Sequence, residues 1–113
     1  IRADFEQLHF TGGYDHNYVL GRPGEKKIMA NAYCRESGIA LEAATDCCGV
    51  QFYAGNFIGE QTGKGGAAYH DRSAFCLESQ FYPNAVNEPD FPSPVVKAGH
   101  TYHTETSYRF YLR

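Results

Sequence analysis

No window of this 113-residue chain repeats apolar residues at i, i+3, i+4 and i+7 over three turns, whereas several stretches alternate apolar and polar positions with period two. A helix needs the first pattern to bury one side, and a half-buried strand needs the second. The expectation is therefore an all-β chain. Its 17 Phe and Tyr residues (8 and 9) with no Trp and one Met fit that expectation, because flat, large side chains pack well on a pleated surface. At this length one core is attainable and two ordinary domains are not.

Residues 27–34 and 39–46 alternate, and Arg35-Glu36-Ser37-Gly38 between them has turn composition, so the pair is expected to form a β-hairpin. The expected facing sets are Ile28, Ala30, Ala32 and Cys34 on the first strand and Ile39, Leu41, Ala43 and Thr45 on the second. A third strand is expected over 50–57, with Gln51 pointing off the face of Val50 and Phe52. Residues 59–67 contain four glycines and are expected to be a flexible loop; the spacing is wrong for a phosphate-cradling loop. Residues 74–81 read as another strand. Pro83, Pro89, Pro92 and Pro94 then impose a long excursion. The cleanest alternation, from His100 to Leu112, predicts a final long strand.

The net charge of −3 and pI near 5.9, with ten scattered Lys and Arg, argue against nucleic acid or an anionic membrane as partner. No apolar run reaches the roughly twenty residues of a membrane span, and no leader is recognisable, so the chain reads as cytoplasmic. The start at Ile1-Arg2-Ala3 suggests a fragment of a longer polypeptide. Cys34, Cys47, Cys48 and Cys76 match no zinc spacing and are expected to be reduced thiols. His100 and His103, three apart on an expected strand, point to opposite faces and cannot chelate one ion; no metal and no cofactor are expected. Asp15 and His16 point apart for the same reason, and no Gly-x-Ser-x-Gly elbow is present.

What remains is a set of acidic or uncharged hydrogen-bonding groups. Glu78 lies in Ala74-Phe75-Cys76-Leu77-Glu78-Ser79-Gln80-Phe81-Tyr82-Pro83-Asn84 without a basic residue within two positions, and is read as a buried acid suited to carrying a proton. Asp15 lies in Gly13-Tyr14-Asp15-His16-Asn17-Tyr18-Val19-Leu20, and Gln51 in Gly49-Val50-Gln51-Phe52-Tyr53-Ala54-Gly55-Asn56-Phe57. Such groups suit a polyol, with carboxylates accepting from hydroxyls and rings packing on its C–H face, so a sugar is the expected ligand class.

These three stretches, in this order and joined by Gly63-Lys64-Gly65-Gly66, resemble the C-terminal third of the aldose 1-epimerase (galactose mutarotase) family. The resemblance runs from about Asp15 to the end and includes Phe91-Pro92-Ser93-Pro94 and Tyr102-His103-Thr104. It implies that residues 1–113 are the C-terminal portion of one galactose-mutarotase-like domain, a β-supersandwich of antiparallel sheets. It implies interconversion of the α and β anomers of a hexose such as galactose or glucose, with Glu78 taking the proton from the anomeric hydroxyl and Asp15 and Gln51 holding sugar hydroxyls. The family's acid histidine, with an arginine and an asparagine of its sugar site, belongs to the missing N-terminal part, which would be required; none of His9, His16, His70, His100 or His103 sits in that motif. Three departures adjoin the matched positions: Cys47-Cys48 for Gln-Pro, Ser79 for Thr and Asn84 for Asp. The alternatives are a non-catalytic carbohydrate-binding protein of the same fold, a hexose-6-phosphate 1-epimerase using a basic cluster for which only Lys64 and Arg72 are at hand, and a structural or assembly role.

Overall fold

The computed structural model describes residues 3–113; the Ile1-Arg2 start lies outside the described residues. In chain order the elements are α1 (Glu6–Thr11), β1 (Asp15–Val19), β2 (Lys27–Tyr33), β3 (Ile39–Thr45), β4 (Gly49–Tyr53), β5 (Gln61–Thr62), a 3-10 turn (Lys64–Gly66), β6 (Ala68–Tyr69), β7 (Cys76–Gln80) and β8 (Thr106–Leu112). The strands form three sheets with orders β1-β4-β7, β2-β3-β8 and β5-β6. The all-β expectation holds, with one six-residue helix as the exception. Among the described residues no helix is long and apolar enough to cross a membrane.

The chain divides into two compact units, one of the described residues up to Asn17 with Gln51–Glu78, the other of Tyr18–Val50 with Ser79–Arg113. In the second, the expected hairpin is present: β2 pairs antiparallel with β3 from Lys27↔Thr45 to Tyr33↔Ala40. Its turn closes with Cys34 N donating to Ile39 O and Gly38 N to Cys34 O, both 2.9 Å. Gly38 takes φ +70, a conformation that glycine enters without a Cβ penalty. The expected facing sets fail at Ile28, Cys34 and Ile39, all exposed. A bulge between Ile28 and Ala30 shifts the register, and Ile28 is left 56% exposed. On β3, which is central to its sheet, Ala43 and Thr45 are fully buried as expected, while Ile39 is exposed and Ala40 is buried from the other side.

The final strand is shorter than the alternation predicts. It begins at Thr106, not His100, and pairs with β3 from Thr45↔Thr106 to Ile39↔Leu112. At that point Asp46 N still donates to Glu105 O at 3.2 Å, but the Asp46 carboxylate Oδ1 accepts from the Thr104 hydroxyl and from Glu105 N. That cap takes up a main-chain donor that a ladder would otherwise use, a competition typical of Asp beside a strand end. The same two bonds hold the Asp46 carboxyl below its usual range, the Thr104 hydroxyl most of all.

In the first unit, the strand expected over 50–57 stops at Tyr53. Gly55 turns to φ +67 and packs so closely on the Ala74 carbonyl that an added Cβ would lie 2.4 Å from its oxygen. Asn56, buried, then donates from Nδ2 to Thr11 O and Tyr14 O at 3.3 and 3.0 Å. The glycine-rich segment is not the free loop expected: β5 and β6 pair through Gln61↔Tyr69 and Thr62↔Ala68, and the Tyr69 ring covers Gly63. The expected proline excursion is present, and no strand forms between β7 and β8.

Candidate functional site

The site is built on β1, β4 and β7. Two backbone bonds set the register of the first pair, Ala54 N to Tyr14 O at 2.9 Å and Leu20 N to Cys48 O at 2.8 Å. As β1 numbering rises, β4 numbering falls, so the strands are antiparallel and Asn17 stands directly opposite Gln51. Hydrogen-bonded pairs alternate along such a ladder, which makes Asn17 and Gln51 a non-hydrogen-bonded pair, whose side chains stand closest. Asp15, two residues before Asn17, shares its face and is the diagonal neighbour of Gln51.

The side chains meet accordingly. Gln51 Nε2 donates to Asp15 Oδ1 at 2.7 Å, half-buried. A carboxylate only accepts, so the amide nitrogen must face it and the orientation of Gln51 is determined. Gln51 Oε1 then points to a place with no solvent and no hydrogen-bond partner, and Asn17 Nδ2 is likewise buried and unpaired. Asn17 was not singled out in the sequence. Its alternation with Asp15 was available as a signal, but its position opposite Gln51 depends on a register that no local pattern carries.

The other face of these strands is aromatic: Tyr14 packs on Phe52 at 5.2 Å between centroids, and Phe52 on Phe75 at 6.1 Å, edge to face. Since Phe75 and Phe52 share that face, alternation along β7 puts Leu77 with them and Glu78 on the side of Gln51. The structure thus joins Asp15 and Gln51 by a hydrogen bond and sets Glu78 on the same face of the adjacent strand, without a hydrogen bond or ion pair to either. The expected burial of Glu78 is not found. The residue is exposed, because none of the described residues covers it on that face of β7.

His16 turns away from the carboxylate of Asp15, as expected. Its Nδ1 accepts from Asp15 N at 3.0 Å, which leaves the ring proton on Nε2, and its ring meets Tyr14 edge to face at 6.3 Å. Arg72 donates from Nη2 to Gly12 O at 2.7 Å. All four cysteines are free thiols; Cys34 and Cys76 are exposed, Cys47 and Cys48 buried, and burial pushes the Cys48 thiol up. Among the described residues no group of three His, Cys, Asp or Glu side chains could hold a metal ion.

A sequence profile of the aldose 1-epimerase family matches residues 2–109. This chain belongs to that family. Galactose mutarotase of Bos taurus is 46% identical over 106 residues and that of Sus scrofa 44%, each alignment covering 93% of this chain. Aldose 1-epimerase of Escherichia coli is 35% identical over 111 residues, or 96% of the chain. The chain spans about a third of the length of these curated relatives, 31% of the two mammalian proteins and 32% of the bacterial one.

Proposed function

We propose that this chain supplies one wall of the sugar site of an aldose 1-epimerase, which interconverts the α and β anomers of a hexose such as galactose or glucose. The observation that carries the reading is the 2.7 Å bond from Gln51 to Asp15 on the face that also bears Glu78. Asp15 keeps its second carboxylate oxygen for sugar hydroxyls, and Gln51 completes the binding surface. Glu78 is the general base. Its exposed carboxylate removes the proton of the anomeric hydroxyl, and the O–H electron pair becomes the C1=O double bond. The C1–ring oxygen bond breaks, and its pair passes to the ring oxygen, which takes a proton from an acid outside these 113 residues. Rotation about C1–C2 and the reverse steps give the other anomer and return both protons. The rest of the domain is required for this chemistry, as the source of that acid.

The phosphosugar alternative loses support in this chain, because Arg72 is engaged by the Gly12 carbonyl and Lys64 sits on an exposed turn. The decisive experiment is polarimetry of fresh α-galactose and α-glucose with the full-length protein and its Glu78→Gln variant. Positioned general bases contribute roughly a hundredfold to ten-thousandfold, so a loss of that size with sugar binding intact is expected. A folded full-length protein without mutarotation would overturn the enzyme reading and favour a sugar-binding protein.

A further inference from the structure

Among the described residues no hydrogen bond or ion pair holds the Glu78 carboxylate, so its place is set by β7 itself. The residue that follows it is tied down. Ser79 Oγ stands 2.8 Å from the Thr106 hydroxyl, Thr106 Oγ1 3.1 Å from that of Thr45, and Thr45 Oγ1 accepts from Cys47 N at 3.1 Å. At the other end Ser79 Oγ lies 3.5 Å from Met29 Sδ. A backbone N–H only donates and a thioether only accepts, so the two ends fix the direction of the whole chain. Cys47 N donates to Thr45, Thr45 to Thr106, Thr106 to Ser79 and Ser79 to Met29; each hydroxyl gives one bond and takes one. Bonds aligned in this way polarise and strengthen one another. Met29 is the residue left out of the β2–β3 register at the bulge between Ile28 and Ala30, and a bulge re-aims a side chain. Here it puts the sulfur at the end of the chain. Gln80 O, next on β7, accepts from the Cys48 thiol at 3.8 Å.

We propose that Thr45, Thr106 and Ser79 are positioning residues: their hydroxyl chain, closed at Met29 by the bulge of β2, pins β7 at the residue after Glu78 and so fixes where the general base meets the anomeric hydroxyl. This rests on the reading of Glu78 as that base. A reacting group must be held to within roughly 0.5 Å of its productive place by the residues around it, and a carboxylate with no donor of its own depends on its strand for that. Ser79 points to the opposite face of β7 from Glu78, so it can anchor the strand without entering the sugar wall. Ser79 stands where the family pattern has Thr, and either hydroxyl can take the Thr106 proton and give its own to sulfur.

The test uses the full-length protein. Ser79→Ala removes the hydroxyl beside Glu78, Thr106→Val removes the middle one at nearly constant size, and Ser79→Thr keeps a hydroxyl in place. Kinetics are read by polarimetry at a temperature where every variant is folded. A small misplacement costs up to roughly a hundredfold, and in Ser79→Ala and Thr106→Val it is expected as a fall in kcat with KM unchanged, because Asp15 and Gln51 stand outside the chain. Ser79→Thr is expected to keep the kcat of the parent. Hydrogen exchange along β7, measured without sugar, is expected to quicken in the first two variants and not in the third. An unchanged kcat in folded Ser79→Ala, whatever its melting temperature, overturns the proposal and leaves the chain purely structural; so does a loss carried by KM alone, or unchanged exchange along β7. Should Thr106→Val fail to fold, the half-buried Ser79 carries the test alone. Glu78→Gln separates the two readings. If it keeps full turnover, the base reading falls and the positioning role with it; if it loses turnover while Ser79→Ala does not, only the chain's role falls.

Discussion

Buried polar atoms are treated in opposite ways in two regions of this chain. Thr45 on β3 is fully buried and fully satisfied: its hydroxyl accepts from Cys47 N at 3.1 Å and pairs with the Thr106 hydroxyl at 3.1 Å, which bonds Ser79 at 2.8 Å. On β1, β4 and the turn after β4, Asn17, Gln51 and Asn56 each keep one buried polar atom without a partner. An unmade buried hydrogen bond costs about 1–3 kcal/mol, so the first arrangement adds to stability and the second subtracts from it. The two regions thus differ in how completely their buried polar groups are satisfied. Real proteins break such local rules chiefly at functional sites, which fits the proposed sugar wall on β1 and β4.

The strongest way to break that comparison is Glu78→Gln. Because Glu78 is exposed and unpaired, its replacement is expected to shift stability by no more than about 0.5 kcal/mol, while mutarotation of the full-length protein falls roughly a hundredfold to ten-thousandfold. Thermal melts and polarimetry on one preparation read both numbers. Loss of stability with retained turnover would reverse the roles assigned to the two regions.

Next in size is Gly13→Ala. Gly13 sits at φ +144, and an added Cβ would lie 2.3 Å from Asn56 Oδ1. Backbone strain of this kind costs about 1–3 kcal/mol, and Asn56 cannot retreat without releasing Thr11 O and Tyr14 O. A loss of at least that size in urea unfolding is expected. Thr45→Val should cost somewhat less, about 1–3 kcal/mol, by stranding the buried Cys47 N–H, and should leave KM for the sugar unchanged. A changed KM would show that the satisfied region also shapes the sugar wall.

The hairpin of β2 and β3 was legible in the sequence because alternation and a four-residue turn are local signals. The all-β class was legible for the same reason, and the polar face of Gln51 followed from alternation on one strand. What was not legible is non-local. The Asn17–Gln51 pairing depends on two segments more than thirty residues apart coming into register, and the exposure of Glu78 depends on what covers β7. The bulge between Ile28 and Ala30 moved a face by one residue, a slip that a period-two pattern cannot announce.

The overextended last strand gives the smallest and most specific prediction. Residues 100–105 alternate as well as 106–112 do, yet Asp46 takes the Thr104 hydroxyl and the Glu105 amide in a cap, so this carboxylate is expected to set where β8 begins. Its carboxyl is held below its ordinary range, which means that the cap's contribution is fully present above the unfolded value of about 3.9 and is lost as pH falls through the lower folded value. Hydrogen exchange at the Glu105 amide is therefore expected to gain protection as pH rises from about 2 to about 5, beyond the intrinsic pH dependence of exchange. Asp46→Asn keeps an acceptor oxygen without a titrating proton, so it should abolish that dependence while leaving β8 paired with β3. A Glu105 amide whose protection is the same on both sides of that window would mean that the backbone, and not the Asp46 carboxylate, sets the start of the strand.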